Sequence, residues 1–249
     1  MSLSLKKLVN DEIRDDLSNQ AQHQLIKPIH PEVHFRYNSV NLLVGKRRSG
    51  KDFNVFREIA KLKYIEHDYT LLLYVTPNGE NDLTYKTWRK HISLDVAVCD
   101  PSESADIIKE LRETNSEYNK EHSDKARQGS EGRGGRHARH VIVLYSEAMN
   151  LFKNPASDEF RALVSNSQFN ATYFLCVQNA KGLPTELKSN FDSIWIFGSF
   201  NKQAWNYLAY YMPLDISELY DVYVKLNKQD ALLIEMNDND DPDISVVQK

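Results

Sequence analysis

"GKRRSGKDFN", residues 45–54, decides how the rest of the chain is read. Gly45, four variable residues, Gly50 and Lys51 have the spacing of a phosphate-binding loop, whose next position ordinarily carries Ser or Thr. Here that position holds Asp52. The stretch follows the apolar run VNLLVG (40–45) and opens DFNVFREIAKLKYIEH (52–67), where apolar residues recur at three- and four-residue spacing. A strand before and a helix after separate a real anion cradle from a glycine- and lysine-rich surface turn. The two glycines let backbone amides converge on an anion, the helix start adds its positive end, and Lys51 reaches the terminal phosphates. Lys46, Arg47, Arg48 and Ser49 fill the variable positions of this candidate ATP loop.

Outward from the loop, YTLLLYVT (69–76), LDVAVCD (94–100), HVIVLY (140–145), TYFLCVQN (172–179) and SIWIFGS (193–199) are further near-continuous apolar runs. Such runs are what strands buried on both faces look like. ESADIIKELRETNSEYNKEH (103–122) and ASDEFRALVSN (156–166) alternate with them and carry helical periodicity. Strand and helix in alternation predict an α/β fold, a mostly parallel sheet flanked by helices. Residues 1–30 are expected to form a polar arm, 31–236 the main domain, and 237–249 an acidic, disordered tail.

Bulk properties narrow the function classes. A chain of 249 residues, 41% hydrophobic and 27% charged, suits one large core. No apolar run is long enough to cross a bilayer, and the start MSLSLKKLVNDEIRDD lacks the apolar core of a secretion signal. Cys99 and Cys176 are too few for a disulfide scaffold and read as small core residues in a reducing, intracellular setting. A net charge of −4 excludes a surface coated in nucleic acid while leaving local basic patches open.

A nucleotide site of this type needs a second, acidic strand end. HVIVLYSEAMN (140–150) supplies it: Ser146 stands where a magnesium-linked Asp is expected, and Glu147 where the catalytic carboxylate belongs. Asp52 and Ser146 therefore form a reciprocal exchange that still offers one hydroxyl and one carboxylate to the same magnesium ion. Taken alone, Glu147 would be a solvated acid at a helix start. Gln178 ends a further strand, where its amide can contact the terminal phosphate or the attacking water.

After Gln178 comes LPTELKSNFD (183–192). The ordered set of phosphate loop, acidic strand end, strand-ending Gln and L-P-x-x-L-[RK]-x-N-x-D resembles the viral genome-packaging ATPases of the FtsK/HerA superfamily. These are found in nucleocytoplasmic large DNA viruses, virophages and Polinton-like elements. The resemblance runs from about residue 36 to about residue 212. It implies a RecA-like P-loop NTPase that assembles into a homo-oligomeric ring and drives double-stranded DNA into a preformed capsid, with capsid or vertex proteins as partners. It also implies a location in the virion or the host-cell interior. On matching positions Lys51 binds phosphates, Glu147 activates water and Gln178 senses the terminal phosphate, while Lys188, Asn190 and Asp192 fall on the polar positions of the last block.

Departures from the family pattern bear on activity. Besides Asp52 and Ser146, Ser167 in NSQFN (166–170) occupies the place of an arginine that completes a neighbour's site, and such an arginine supplies a factor of about a thousand or more in well-studied hydrolases. Arg161 is a candidate substitute, though an exposed helix charge is the plainer reading. The segment 123–140, SDKARQGSEGRGGRHARH, is basic and glycine-rich. It is either a solubilising insertion or a flexible loop placing Arg127, Arg133, Arg136 and Arg139 on DNA phosphates. Two function classes stay open: an ATP-hydrolysing packaging motor, and a weakened nucleotide-binding homologue that docks on DNA or a capsid. A host-type translocase fits less well, because the chain lacks room for the extra domains such proteins carry.

Overall fold

The computed structural model describes residues 33–127, 140–154, 157–164, 170–179, 183–188, 190–198, 200–211, 216–227, 230–236 and 242–247. The 1–30 arm, Ser167, and Arg133, Arg136 and Arg139 of the basic segment lie outside the described residues.

In chain order the elements are β1 (Val40–Gly45), α1 (Lys51–Lys61), β2 (Tyr69–Val75), α2 (Leu83–Trp88), β3 (Asp95–Cys99), α3 (Ser104–Arg127) and β4 (His140–Ser146). There follow α4 (Asp158–Val164), β5 (Ala171–Val177), α5 (Thr185–Lys188), β6 (Ser193–Phe197), α6 (Lys202–Tyr211), α7 (Tyr220–Tyr223), β7 (Ala231–Glu235) and β8 (Asp243–Val247). Among the described residues these strands form one sheet of order β3-β2-β4-β5-β1-β6-β7-β8. The first six in that order pair in parallel, and β7 and β8 close the far edge antiparallel. The sequence-predicted α/β sheet is the one observed, with an antiparallel edge added.

The apolar runs are continuous because both sheet faces are covered. Leu43 of β1 points with Phe174 and Leu144 toward Val55, Phe56 and Ile59 of α1. Val40, Leu42 and Val44 point the other way, toward Ile108 of α3, Phe160 of α4, Leu187 of α5 and Trp205 of α6. Strict alternation between the two cores leaves β1 with no exposed position. Its place near the middle of the sheet fixes where the phosphate loop emerges. No helix among the described residues is long and apolar enough to cross a membrane.

Two expected boundaries change. The acidic tail proposed for 237–249 contains β8, whose Ile244 and Val247 are buried as it pairs with β7. A lone short edge strand after an acidic stretch of sequence carries almost no periodic signal, and its partner strand supplies the missing ladder. The loop expected from residue 123 begins later, because α3 continues through Lys125, Ala126 and Arg127, all good helix formers, before the first glycine at 129.

Candidate nucleotide-binding site

The loop between β1 and α1 is built around two glycines. A Cβ at Gly45 would stand 2.5 Å from Ser49 Oγ and 2.9 Å from Phe197 Cβ, so no side chain fits there. Gly50 has a φ of 95°, a left-handed conformation that lets the chain turn straight into α1. Lys46, Arg47 and Arg48 are exposed around the rim, while Ser49 is buried. Lys51 is buried and donates from Nζ to the carbonyls of Gly45 at 2.7 Å and Lys46 at 3.1 Å, which ties its ammonium to the loop it would serve. Ser49 Oγ is shut off from solvent with no hydrogen-bond partner. The loop thus gathers the elements of an anion cradle: turned backbone, a helix start and a fixed cation.

Beside it lies a row of strand ends. Parallel register sets Ser146 of β4 against Cys176 of β5, and Tyr74 of β2 against Leu144 of β4. Tyr74, Leu144 and Cys176 belong to the core on the α1 face, and alternation along β4 turns Ser146 to that same face. The first turn of α1 sits on this row. The carboxyl of Asp52 lies near the Cys176 thiol and the Ser146 hydroxyl, and its Oδ1 is closed to solvent without a hydrogen-bond partner. Burial pushes the Asp52 carboxyl above the ordinary carboxylate range, opposed by Cys176, Lys51 and Ser146 and reinforced by Asp82. The Tyr74 hydroxyl is raised by the same burial and by the nearby Asp52 and Asp82 charges. The two exchanged positions, Asp52 and Ser146, are therefore neighbours in space.

Glu147 turns away from that row at a φ of 57°, unusual for a non-glycine residue. Its Oε1 is 4.0 Å from Arg47 Nε across the mouth of the loop, with the Glu147 side chain 40% exposed. Gln178, just past β5, is exposed and lines a cavity of about 460 Å³ together with Lys46, Asn179, Phe200, Asn201 and Tyr207. Phosphate loop, carboxylate and amide thus converge at the C-terminal edge of adjacent strands. Arg161 faces solvent on α4, and Arg127 is the last residue of α3.

No family model and no curated protein sequence matches the chain. Solved structures do match. The DNA-packaging ATPase B204 from Sulfolobus turreted icosahedral virus aligns at a TM-score of 0.57 with 16% identity, over 86% of this chain and 98% of that one. B204 from Sulfolobus turreted icosahedral virus 2, a genome-packaging NTPase solved with sulfate, aligns at 0.58 with 18% identity, over 86% of this chain and 98% of that one. The fold is that of a P-loop ATPase. The pCW3 conjugation coupling protein TcpA, solved with ATPγS, shares it at a TM-score of 0.51 and 18% identity, over 85% of this chain and 60% of TcpA.

Within this P-loop ATPase fold the LPTELKSNFD block is largely structural. Leu183, Leu187 and Phe191 are buried in the core on the α3 side. Asn190 Nδ2 donates to the Glu186 carbonyl at 2.6 Å. Asp192 Oδ2 accepts the Val40 amide at 2.6 Å, where β1 begins. Gly45 is five residues further along that strand, roughly 17 Å away at ~3.3 Å per residue. Asp192 thus fixes the base of β1 against β6, at the opposite end of the strand from the loop. Conversely, sequence reading took Cys176 for a small core residue and did not single out Tyr74 or Asp82. Cys176 carried a usable signal, because it stands two positions before Gln178 on the strand pointing at the site.

Proposed function

We propose that the protein is an ATP-hydrolysing motor of the viral genome-packaging type, which works as a homo-oligomeric ring and moves double-stranded DNA into a capsid. The observation that carries the reading is the meeting of Lys51, the Asp52–Ser146 pair, Glu147 and Gln178 at one sheet edge, in a fold shared with DNA-packaging B204. The loop amides and Lys51 bind the phosphates, Glu147 orients and deprotonates the attacking water, and Gln178 senses the terminal phosphate. The orphaned Asp52 Oδ1 beside the Ser146 hydroxyl suits a hard cation. Among the described residues no group of three or more His, Cys, Asp or Glu forms a complete metal cage. Asp52 and Ser146 would thus hold a magnesium ion whose other ligands are phosphates and waters, and the ion would supply neutralisation of phosphate charge. Arg127, Arg133, Arg136 and Arg139 are assigned to sequence-independent contact with DNA phosphates.

A second reading is favoured by the burial of Asp52, which raises its proton affinity and disfavours the charged ligand. In it the chain binds nucleotide weakly and serves as a DNA- or capsid-docking subunit. Steady-state magnesium-dependent ATP hydrolysis, with and without double-stranded DNA and with Lys51→Ala as the blank, separates the two. The motor reading expects turnover that rises with DNA and vanishes in the blank; turnover equal to the blank in assembled protein sinks it. The double change Asp52→Ser with Ser146→Asp is expected to lower activity if the exchanged ligands are adapted to each other, and a large gain would indicate decay.

A further inference from the structure

Arg47 and Glu147 face each other across the mouth of the phosphate loop. Their Nε–Oε1 separation is 4.0 Å, with side chains 76% and 40% exposed. Left-handed backbone lies at or beside both: Glu147 has φ 57° and Arg48, next to Arg47, has φ 63°. Non-glycine residues in such conformations are strained and persist only where the surroundings hold them. The contact is therefore set by two turns, rather than by two long side chains meeting at random.

The strength of the pair matters as much as its geometry. Exposed ion pairs contribute about 0.2–1 kcal/mol, enough to orient a side chain and too little to lock it. A triphosphate entering the loop is a stronger partner for a guanidinium, whose planar fork matches two phosphate oxygens at once. Arg47 sits within the loop that would hold those phosphates, so carboxylate and nucleotide compete for one cation. Among the described residues no other cation is in ion-pair range of Glu147.

We propose that Arg47 is a positioning residue for Glu147, an inference that rests on nucleotide binding at this loop. It holds the Glu147 carboxylate while the loop lacks phosphate and transfers to the phosphate when a triphosphate binds. Glu147 is thereby released to orient water only once nucleotide is present. The phosphate loop itself then supplies an arginine, in a chain that carries Ser167 where a neighbour-completing arginine is expected.

The test is a double-mutant cycle on the full-length protein, with AMPPCP and ADP binding measured for wild type, Arg47→Ala, Arg47→Lys, Glu147→Gln and the Arg47→Ala, Glu147→Gln pair. Arg47 is exposed, so its replacement leaves the core untouched. Removing the competing carboxylate in Glu147→Gln is expected to tighten AMPPCP binding by between about 1.4-fold and 5-fold, the exposed-pair strength converted to an affinity ratio. That gain disappears in the Arg47→Ala background. Arg47→Ala is expected to weaken AMPPCP more than ADP, and Arg47→Lys to restore part of the difference through charge alone. A Glu147→Gln gain that persists without Arg47, or an unchanged preference for AMPPCP over ADP in Arg47→Ala, overturns the inference while leaving nucleotide binding intact. Wild-type binding no tighter than that of Lys51→Ala overturns the nucleotide reading and this inference with it.

Discussion

Helix α1 carries a carboxylate near each end, and the two sit in opposite surroundings. Glu58 has a fully buried side chain. Lys61 Nζ lies 2.8 Å from its Oε1 and 3.0 Å from its Oε2, and the His34 ring and backbone amide each approach Oε2 at 3.1 Å. Burial alone pushes this carboxyl up, but His34 and Lys61 together outweigh it and hold the group below its usual range. Asp52, the second residue of the same helix, has a closed-off Oδ1 without a hydrogen-bond partner and a carboxyl raised above the usual range. Burial by itself therefore says nothing about role. Glu58 is neutralised by residues of its own chain and anchors the segment leading into β1; Asp52 is buried beside the loop between β1 and α1 with one oxygen making no hydrogen bond.

The contrast can be broken by substitution. Glu58→Gln removes the buried carboxylate that Lys61 and His34 share and is expected to lower stability by about 3–5 kcal/mol in urea unfolding at neutral pH, the scale of breaking a buried ion pair. A loss below about 1 kcal/mol would mean that the cluster is ornamental. Asp52→Asn should act with the opposite sign and raise stability by about 1–2 kcal/mol, the scale of relieving a poorly satisfied buried polar group. A destabilised Asp52→Asn protein would show that Cys176 and Ser146 already satisfy the carboxylate. Asp192→Ala, which frees the Val40 amide at the base of β1, is expected to cost about 1 kcal/mol, and amide hydrogen exchange at Val40 would report it directly.

Acid titration sharpens the comparison further. Glu58 has a lowered pKa, so its stabilisation is present above the unfolded carboxylate range and is lost as pH falls through the lower folded value. Asp52 has a raised pKa, so its ionisation weakens the fold as pH rises through the raised value, and the penalty is absent below the unfolded range. On acidification the Asp52→Asn difference should close first and the Glu58→Gln difference last. The reverse order would undo the assignment.

Much of the candidate site's placement in the fold was legible because its signals are local. Gly45, Gly50 and Lys51 have fixed spacing, and the apolar runs around them announced strands that end there. Neighbouring residues along a chain constrain each other through backbone geometry, which is why the loop, the α/β fold and the positions of Glu147 and Gln178 could be read directly. The roles of Asp192 and β8 were not legible. Asp192 belongs to a motif in sequence but pairs with Val40 at the opposite end of β1 from the loop, and β8 acquires its ladder from β7.

By itself the sequence determined that a loop with phosphate-binding spacing joins a buried strand to an amphipathic helix, that Asp52 and Ser146 stand at the exchanged hydroxyl and acidic positions of that pattern, and that parallel strands surround it. Tertiary structure alone decided that the exchanged residues meet, that Cys176 joins them, that Arg47 reaches Glu147, and that, among the described residues, one carboxylate of α1 has a cation in ion-pair range while the other has none. The division follows from distance. Turn chemistry and periodicity act between residues a few positions apart, whereas solvation and pairing of a charge depend on whichever distant segments the sheet register brings alongside it.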